Sequence, residues 1–375
     1  MISKEKFEKL LKIDHAPAVS LYVPTHRSGD SRKDKIHYKN EIHKIEKSLL
    51  DSGLSRAELE SFMSPFNDLL LKNDFWLDLS DCLAVFRTNS MFEFYKVPIE
   101  MKTLSHIGDQ FLVYPLCNSF EGQNLFYLLA LSQNETRFFE CTRYSVTPII
   151  IDDKVPASME EALQYERENT LQSHHAGTVL HHGHGGGKDE TNMRLEQYFK
   201  SIDIGLNEVI PTSDGPLIVS CVDYLFPIYK KVNTYPKLFQ RNISGNPENT
   251  NPALLHEKAV LELKPWIEAP LKEDKELFEQ KMADEAASFS VTEIVPAAIS
   301  GKIETLFLVR GVHSWGSYDS ESHRIEMHEE RLADSLCLSE MAARATFEQG
   351  GTIHLLERNQ MPRPTANMNA IYRYK

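Results

Sequence analysis

The sequence has few cysteines, and none of them form a recognisable pair. Its five cysteines, Cys82, Cys117, Cys141, Cys221 and Cys337, are scattered along the chain without a Cys-x-x-Cys motif. An odd and unpatterned set argues against a disulfide framework and favours a reducing compartment. Cys221 and Cys337 fall within apolar patterns, so we expect both of them in the core.

Long apolar runs are absent as well. No segment approaches the roughly 18 apolar residues of a membrane span. The N-terminal segment, residues 1–9, has the pattern of an amphipathic helix and lacks the apolar stretch of a signal peptide. We therefore expect a cytoplasmic protein without a membrane partner.

Positive charge is scarce and unevenly distributed. The chain has 41 Lys and Arg against 54 Asp and Glu, which is a formal net charge of −13. Residues 1–50 nevertheless carry 11 basic and 7 acidic residues, a local balance of +4. Broad nucleic-acid binding depends on neutralised phosphates, so we expect no DNA partner. The basic N-terminal end suits a local RNA contact, although a solvated helix face has the same composition.

Apolar patterns alternate between strand-like and helix-like segments along the 375 residues, a length that exceeds what one core usually supports. Strands are predicted at 16–23, 82–87, 91–97, 125–131, 136–141, 146–151, 217–222, 303–309, 352–356 and 370–374. Helices are predicted at 35–50, 56–72, 193–206, 253–264, 272–288 and about 331–349, with Gly350-Gly351 ending the last. Ser290 and Glu293 have the spacing of a capping box. This alternation predicts an α/β protein of several domains.

One polar stretch, residues 152–192, has few large apolar side chains. It contains the sequence Thr178-Val-Leu-His-His-Gly-His-Gly-Gly-Gly-Lys188 directly before a predicted helix. Consecutive glycines expose backbone N–H groups, and the first turn of a helix favours anions. We therefore expect any chemistry of the protein on the exposed loop His181–Lys188.

The loop does not match the familiar phosphate-binding motifs. A Walker A motif would need glycine at His182 and serine or threonine at Asp189, and the dinucleotide-binding pattern fails at Lys188. A metal site is an alternative because histidine is a common metal ligand, although the spacing is not that of a finger-type site. The histidines in question are His174, His175, His181, His182 and His184. A solvated loop without chemistry is a further alternative.

The order of these features resembles that of the bacterial relatives of archaeo-eukaryotic class 1 release factors and Pelota, called bacterial archaeo-eukaryotic release factor-like proteins. The resemblance covers nearly the full length. Gly183–Lys188, leading into a helix, is similar in position to the Gly-Gly-Gln loop of release factors. The other matching segments are Val19–Pro24, Leu125–Cys141, Pro216–Val222, Ser290–Val309, Gly350–Leu355 and Ala370–Tyr374.

The resemblance implies three domains. An α/β domain would occupy residues 1–118, an RNase H-like domain bearing the glycine loop 119–268, and an α/β domain resembling kinked-RNA-binding ribosomal proteins 269–375. In release factors the Gly-Gly-Gln loop enters the peptidyl-transferase centre and helps water to attack the ester of peptidyl-tRNA. Backbone N–H donors can stabilise oxyanion charge there. The matching candidates for catalysis are Gly185, Gly186, Gly187 and Lys188.

The sequence departs from the release factors at two places. No glutamine follows the glycines, and Gly187 or Lys188 stands in its position. Pelota-type relatives also lack this glutamine and rescue stalled ribosomes without hydrolysing the ester. Asp34-Lys-Ile-His37 stands where release factors carry the Asn-Ile-Lys-Ser loop that reads the stop codon. We therefore expect no stop-codon specificity.

RNA contacts of another kind are expected at the N-terminal end. Arg27, Arg32, Lys33 and Lys35 are candidates for phosphate contacts, with a solvated loop as the alternative. The aromatic loop His313–Tyr318 suits either stacking on a base or packing within its own domain.

The expected function is thus that of a ribosome-associated release or rescue factor whose partners are the ribosome and tRNA or rRNA. No cofactor and no assigned metal are expected, and peptidyl-tRNA hydrolysis stays open because the glutamine is absent. Two alternatives remain. One is an interaction module that kept the fold and acts away from the ribosome. The other is a metal-dependent hydrolase that uses the five histidines.

Overall fold

A computed structural model describes residues 2–27, 31–117, 125–151, 154–163, 187–210, 215–332 and 335–374. The chain divides into two compact units, with Met1–Glu121 and Ala269–Lys375 in unit 1 and Gly122–Glu268 in unit 2. Both contain helices and strands, which confirms the α/β fold class. The division into domains 1–118, 119–268 and 269–375 stays a prediction, as do the RNase H-like and ribosomal-protein likenesses. No helix in the described ranges is long and apolar enough to cross a membrane.

The N-terminal part of unit 1 is an antiparallel sheet covered by helices. Its elements are α1 (Lys4–Leu11), β1 (Ala18–Pro24), α2 (Ser31–Asp51), α3 (Arg56–Leu71), β2 (Cys82–Arg87), β3 (Phe92–Val97) and β4 (Leu104–Gly108). The strand order is β3-β2-β1-β4. Successive side chains of a strand point to opposite faces. Val19 and Leu21 of β1 accordingly pack with the buried side chains of α2 and α3, while the Tyr22 hydroxyl on the other face donates to the Leu112 carbonyl.

Unit 2 is a sheet with helices on both faces. Its elements are β5 (Phe126–Leu131), β6 (Thr136–Cys141), β7 (Val146–Ile149), α4 (Gly187–Val209), β8 (Leu217–Cys221), α5 (Phe226–Val232), β9 (Ile243–Ser244) and the first part of α6 (Pro252–Ala283). The order is β7-β6-β5-β8-β9, in which β8 is parallel to both β5 and β9. Alternate residues of β5 pack into two different cores. Tyr127 and Leu129 pack with α4 and α5, and Phe126 and Leu128 pack with α6.

The C-terminal part of unit 1 contains two further sheets. Its elements are β10 (Ala287–Ser288), α7 (Val291–Ile299), β11 (Ile303–Val309), β12 (Trp315–Asp319), β13 (Arg324–His328), β14 (Leu336–Cys337), α8 (Leu338–Glu348), β15 (Thr352–Leu356) and β16 (Met368–Tyr372). The orders are β10-β16-β11-β15 and β13-β12-β14. Phe278, near the end of α6, packs against Phe307 of the first sheet.

Three local predictions were wrong. Residues 253–288 do not form two helices, because α6 runs without a break from Pro252 to Ala283 despite Pro265 and Pro270. The helix predicted from about 331 begins only at Leu338. Ser290 makes no side-chain capping bond, because the Glu293 carboxylate accepts from Ser288 Oγ instead, at 2.5 Å.

The end of α8 was predicted correctly. Gly350 has φ of +71°, a left-handed conformation that costs glycine little. Its N–H bonds to the Phe347 carbonyl and that of Gly351 to the Thr346 carbonyl, at 2.9 and 2.8 Å. These two bonds are the Schellman pattern, which satisfies the last carbonyls of the helix.

A buried ion pair of α8 joins distant segments of unit 1. Oε2 of Glu340 accepts the backbone N–H groups of Val113 and Tyr114, both at 2.8 Å. Arg344 lies one turn further along, 3.4 Å from the other Glu340 oxygen, and donates to the carbonyls of Leu11 and Phe111. Burial raises the pKa of Glu340, although Arg344 and the two amides favour its charged form. We call this arrangement the Glu340 clamp.

Aromatic and basic side chains form a second connection within unit 1. The ring of His106 stacks on Trp315 with centroids 6.1 Å apart and planes 21° apart. The guanidinium of Arg331 lies 4.9 Å from the Trp315 centroid, and its NH2 group donates to the Ile107 carbonyl. These contacts engage Trp315 within its own unit, which favours packing over base stacking for this loop. Burial, reinforced by the charge of Arg331, lowers the pKa values of His106 and His313 to about 4.

Replacing Glu340 tests the clamp. Glu340→Gln keeps the shape but leaves Arg344, whose side chain is 12% exposed, without its counter-charge. Breaking a buried pair in this way typically costs about 3–5 kcal/mol, so we expect a loss of about 3 kcal/mol in the free energy of unfolding, measured with urea. The double variant with Arg344→Met should recover part of this loss. A single variant as stable as the parent would contradict the role of the clamp.

The depressed histidine pKa values predict acid sensitivity. In the unfolded chain both histidines become protonated below about pH 6.5. In the folded chain they become protonated only near pH 4. Stability should therefore fall over this window as the pH is lowered, by about 1.4 kcal/mol per pH unit for each histidine. His106→Phe keeps an aromatic ring against Trp315 and should make the decline shallower by about that amount. Parallel pH profiles of parent and variant, measured by urea unfolding, would refute this assignment.

Candidate functional site

The predicted glycine and histidine loop falls mostly outside the described residues. Gly185 and Gly186 lie there, whereas Gly187 and Lys188 are the first two residues of α4. The five histidines considered as metal ligands lie outside as well. Among the residues that the structure does describe, no group of three or more His, Cys, Asp and Glu side chains is placed to hold a metal.

The described side chains in the first turns of α4 do not contribute to the core of unit 2. Residues 190–194 are all exposed, and Met193 is 65% exposed. Leu195 is the first buried residue that the structure describes in this helix. Since a helix rises 1.5 Å per residue, the start of α4 at Gly187 lies about 12 Å along the helix axis before Leu195. In the sequence, the glycine loop directly precedes this exposed start of α4.

Polar contacts and an apolar stripe anchor the rest of α4. Leu195, Phe199, Ile202 and Leu206 are buried at helical spacing against the sheet. The Tyr198 hydroxyl lies 2.5 Å from Thr136 Oγ1 and donates to the Ser132 carbonyl at 3.2 Å.

A second polar anchor lies further along α4. The Asp203 carboxylate accepts the backbone N–H and the hydroxyl of Thr234, at 2.9 and 2.6 Å. The helix is thus fixed along its second half and exposed at its beginning.

The chemistry available at this helix start follows from its backbone. The first N–H groups of a helix lack intrahelical partners and carry partial positive charge, so they favour phosphate or a developing oxyanion. Lys188 adds a positive charge in the sequence, while Asp189 and Glu190 oppose it. Glu190 is itself paired with Arg194, at 2.5 Å. The arrangement suits contact with an anionic group through backbone donors.

The four residues predicted to contact RNA lie around the start of α2, in different environments. Arg27 donates two hydrogen bonds to the Asp81 carboxylate, at 2.8 and 2.6 Å, and these bonds raise its pKa. Lys35 donates to the side-chain oxygen of Asn73 at 3.0 Å. Arg32 and Lys33 are exposed. Arg27 is therefore already paired with an acid, and Arg32 is the better placed of the two for a phosphate.

The exposed side of α2 carries further basic residues that the sequence reasoning missed. Arg32, Lys39, His43 and Lys47 are exposed and follow one another at spacings of seven, four and four residues. These spacings place them on one face over about 22 Å of helix. We call them the α2 basic face. His43 contacts Glu46 at 3.2 Å, but Arg32, Lys39 and Lys47 have no acidic partner within the described ranges. The helical periodicity of the basic residues is the signal that could have revealed this face.

Two residues on the same helix test the exposed start of α4. Leu195→Ala removes a core side chain and should lower the free energy of unfolding by about 2–4 kcal/mol. Met193→Ala, only two residues earlier, should change it by less than about 0.5 kcal/mol because Met193 is exposed. Urea unfolding measures both values. Equal losses in the two variants would mean that the first turns of α4 are packed.

Comparison with known proteins relates unit 2 to a protein family. Residues 126–265 match the family model described as bacterial archaeo-eukaryotic release factor family 7. No curated protein matches the sequence.

Solved structures also align with the chain. The archaeal translation termination factor aRF1 is 15% identical, with 100% of this chain and 99% of that chain covered and a TM-score of 0.25. Dom34 of S. cerevisiae is 12% identical, with 78% and 80% covered and a TM-score of 0.34. Archaeal Pelota, in a model of the ribosome-bound protein with ABCE1, is 10% identical, with 100% and 96% covered and a TM-score of 0.36.

The family match covers both core-forming faces of the sheet of unit 2 and α4, and the residues of the glycine loop lie within the matched range. It confirms the family resemblance that the sequence predicted. Residues 126–265 are similar to the bacterial archaeo-eukaryotic release factor family 7.

Proposed function

We propose that the protein is a ribosome-associated factor of the release or rescue type, which acts in the cytoplasm at stalled or terminating ribosomes. The observation that carries this proposal is the exposed start of α4, which follows the glycine loop within the segment that matches the release factor-like family. A loop at the end of an anchored helix can enter a narrow RNA cavity without disturbing its own core. The loop 181–188 would be inserted toward the peptidyl-transferase centre or the tRNA.

The loop composition favours binding over ester hydrolysis as its first activity. Gly185, Gly186 and Gly187 supply backbone N–H donors for an oxyanion or a phosphate, and Lys188 adds a charge that attracts phosphate. No glutamine is present to position a water molecule. We infer that the loop engages the tRNA end or nearby rRNA, and that hydrolysis of peptidyl-tRNA is secondary.

Two observations support action without stop-codon reading. The segment Asp34–His37 lies inside α2 rather than in a loop. Asp34 is 2% exposed and accepts hydrogen bonds from the His26 backbone N–H and its ring, at 2.9 and 2.7 Å. His37 is hydrogen-bonded to Thr103. Side chains engaged in this way are poorly suited to reading bases.

The α2 basic face is our proposed RNA contact in unit 1. Exposed cations attract the phosphate backbone without regard to sequence, which suits a factor that is not codon-specific. Of the residues predicted from sequence, Arg32 belongs to this face, and Lys39 and Lys47 extend it. Lys33 and Lys35 flank it at the start of α2 and would add contacts at that end, whereas Arg27 is held by Asp81.

Co-sedimentation with ribosomes tests the proposal. The full-length protein should pellet with stalled ribosome–tRNA complexes at moderate salt. Changing Arg32, Lys39 and Lys47 together to Gln should weaken binding at least tenfold. The slope of log K against log salt should also become shallower by about 2, since each lost phosphate contact contributes roughly 0.7–0.9. The proposed function would be overturned if the parent protein pelleted neither with empty ribosomes nor with stalled ribosomes.

Two further variants make this assay specific. Changing Lys6, Lys12 and Lys200 to Gln removes the same charge from exposed positions elsewhere and should leave binding within about twofold of the parent. An equal loss in this control would reject the α2 basic face as the contact. Replacing Gly186 with Trp should reduce binding to complexes that hold tRNA more than binding to empty ribosomes. Unchanged discrimination would reject insertion of the loop.

A further inference from the structure

The first part of α6, which belongs to unit 2, is apolar on two opposite sides. Leu255, Ala259 and Leu263 pack into the core on one face of the sheet. Leu254 and Leu261 lie on the other side of the helix, because successive residues are rotated by about 100° around its axis. They are 46% and 71% exposed. A surface helix usually carries polar residues opposite its core stripe, so the fold of unit 2 does not explain these two leucines.

The two leucines lie in a groove along the outside of α6. The groove has a volume of about 450 Å³ and follows the helix from Leu254 to Glu268, over about 21 Å. Val260 and Ile267 contribute further apolar surface, and Arg143 lines the groove from the turn after β6. The lining includes positions 254, 257, 261, 264 and 268, whose spacing of alternately three and four residues lets two helices pack along a common seam. The groove therefore suits a second helix.

Opposite charges flank Leu261 on one side of this groove. Glu257 lies four residues before Leu261 and Lys264 three residues after it, and both line the groove. They lie on the same side of the leucines because seven residues make almost two full turns of helix. Glu257 forms no ion pair with any other residue that the structure describes. Lys264 is 3.9 Å from Glu268, an exposed pair that contributes little. Both charges are therefore available to a partner.

This order of charges is complementary to a second copy of the same helix. A two-fold axis beside Leu261 sets two α6 helices antiparallel, with Leu261 against Leu261 of the copy. Each Glu257 then faces Lys264 of the other copy, because the two residues lie at similar distances before and after Leu261. The rotation also keeps them on the same side of the seam. A two-fold interface uses the same surface on both copies, so this arrangement yields two ion pairs around one apolar contact.

We propose that the protein forms a weak homodimer through the outer face of α6, which consists of Leu254, Glu257, Leu261 and Lys264. A strip about 21 Å long and about 10 Å wide is smaller than the roughly 800 Å² per partner of stable complexes. We therefore expect a dissociation constant of about 10–100 µM. None of these residues belongs to the proposed ribosome contacts, so the two proposals can fail separately.

Sedimentation of the full-length protein in the analytical ultracentrifuge tests for the dimer. Between about 1 and 500 µM the parent should pass from monomer to dimer. Leu261→Gln removes the central apolar contact and should weaken the dimer at least tenfold. Leu77→Gln is the matched control, because Leu77 is 70% exposed but lies in unit 1, and it should leave the dimer unchanged. A parent that stays monomeric over this range, or an equal loss in both variants, would overturn the proposal.

Charge reversal tests the pairing of Glu257 with Lys264 of the other copy. Glu257→Lys and Lys264→Glu each bring like charges together across the two-fold axis, so each variant alone should be monomeric. An equal mixture of the two variants should form a heterodimer, because every lysine then faces a glutamate. The double variant should again form a homodimer. Both positions are exposed, so the variants should unfold in urea like the parent. A mixture that is no more dimeric than its separate components would refute the arrangement.

Discussion

The buried carboxylate of Glu340 is the contact on which the rest of unit 1 depends. It accepts hydrogen bonds from two backbone N–H groups that lie 226 and 227 residues earlier in the chain. Arg344, in the next turn of α8, donates hydrogen bonds to two backbone carbonyls. One of the two amides belongs to Tyr114, whose hydroxyl lies 2.9 Å from His313 Nδ1. The clamp therefore joins α8 to the backbone near both residue 11 and residues 111–114. A buried charge is costly, and here two backbone N–H groups and the counter-charge of Arg344 offset that cost for Glu340.

Unit 2 obtains its rigidity in a different way. Its sheet alternates side chains between two helical layers, and α4 is held by an apolar stripe together with Tyr198 and Asp203. None of these contacts involves residues 190–194, which stay exposed. An anchored helix with an exposed start can present the glycine loop at a defined position. The same property would let a release factor-like loop reach into RNA while its supporting core remains undisturbed.

Local charge matters more than net charge in this protein. The chain as a whole is acidic, with a formal net charge of −13, yet it presents a basic face on α2. The α2 basic face arises because the periodicity of the helix brings Arg32, Lys39 and Lys47 to one side. Conversely, Arg27 looks basic in the sequence but is bound to Asp81. A surface charge is available to a partner only where no acid of the protein lies against it.

Much of the secondary structure was determined by short-range patterns in the sequence. The strands Cys82–Arg87 and Thr136–Cys141 and the Gly350 stop of α8 have the predicted bounds, since alternation and left-handed glycine are local properties. The glycine loop and its family resemblance could likewise be recognised from residue order. Only the tertiary structure decided that α6 continues through Pro265 and Pro270. Leu263 before these prolines, Ile267 between them, and Leu271 and Phe278 after them all pack into cores. Only the tertiary structure revealed the Glu340 clamp, because burial and the pairing of residues distant in the chain have no signature in local sequence.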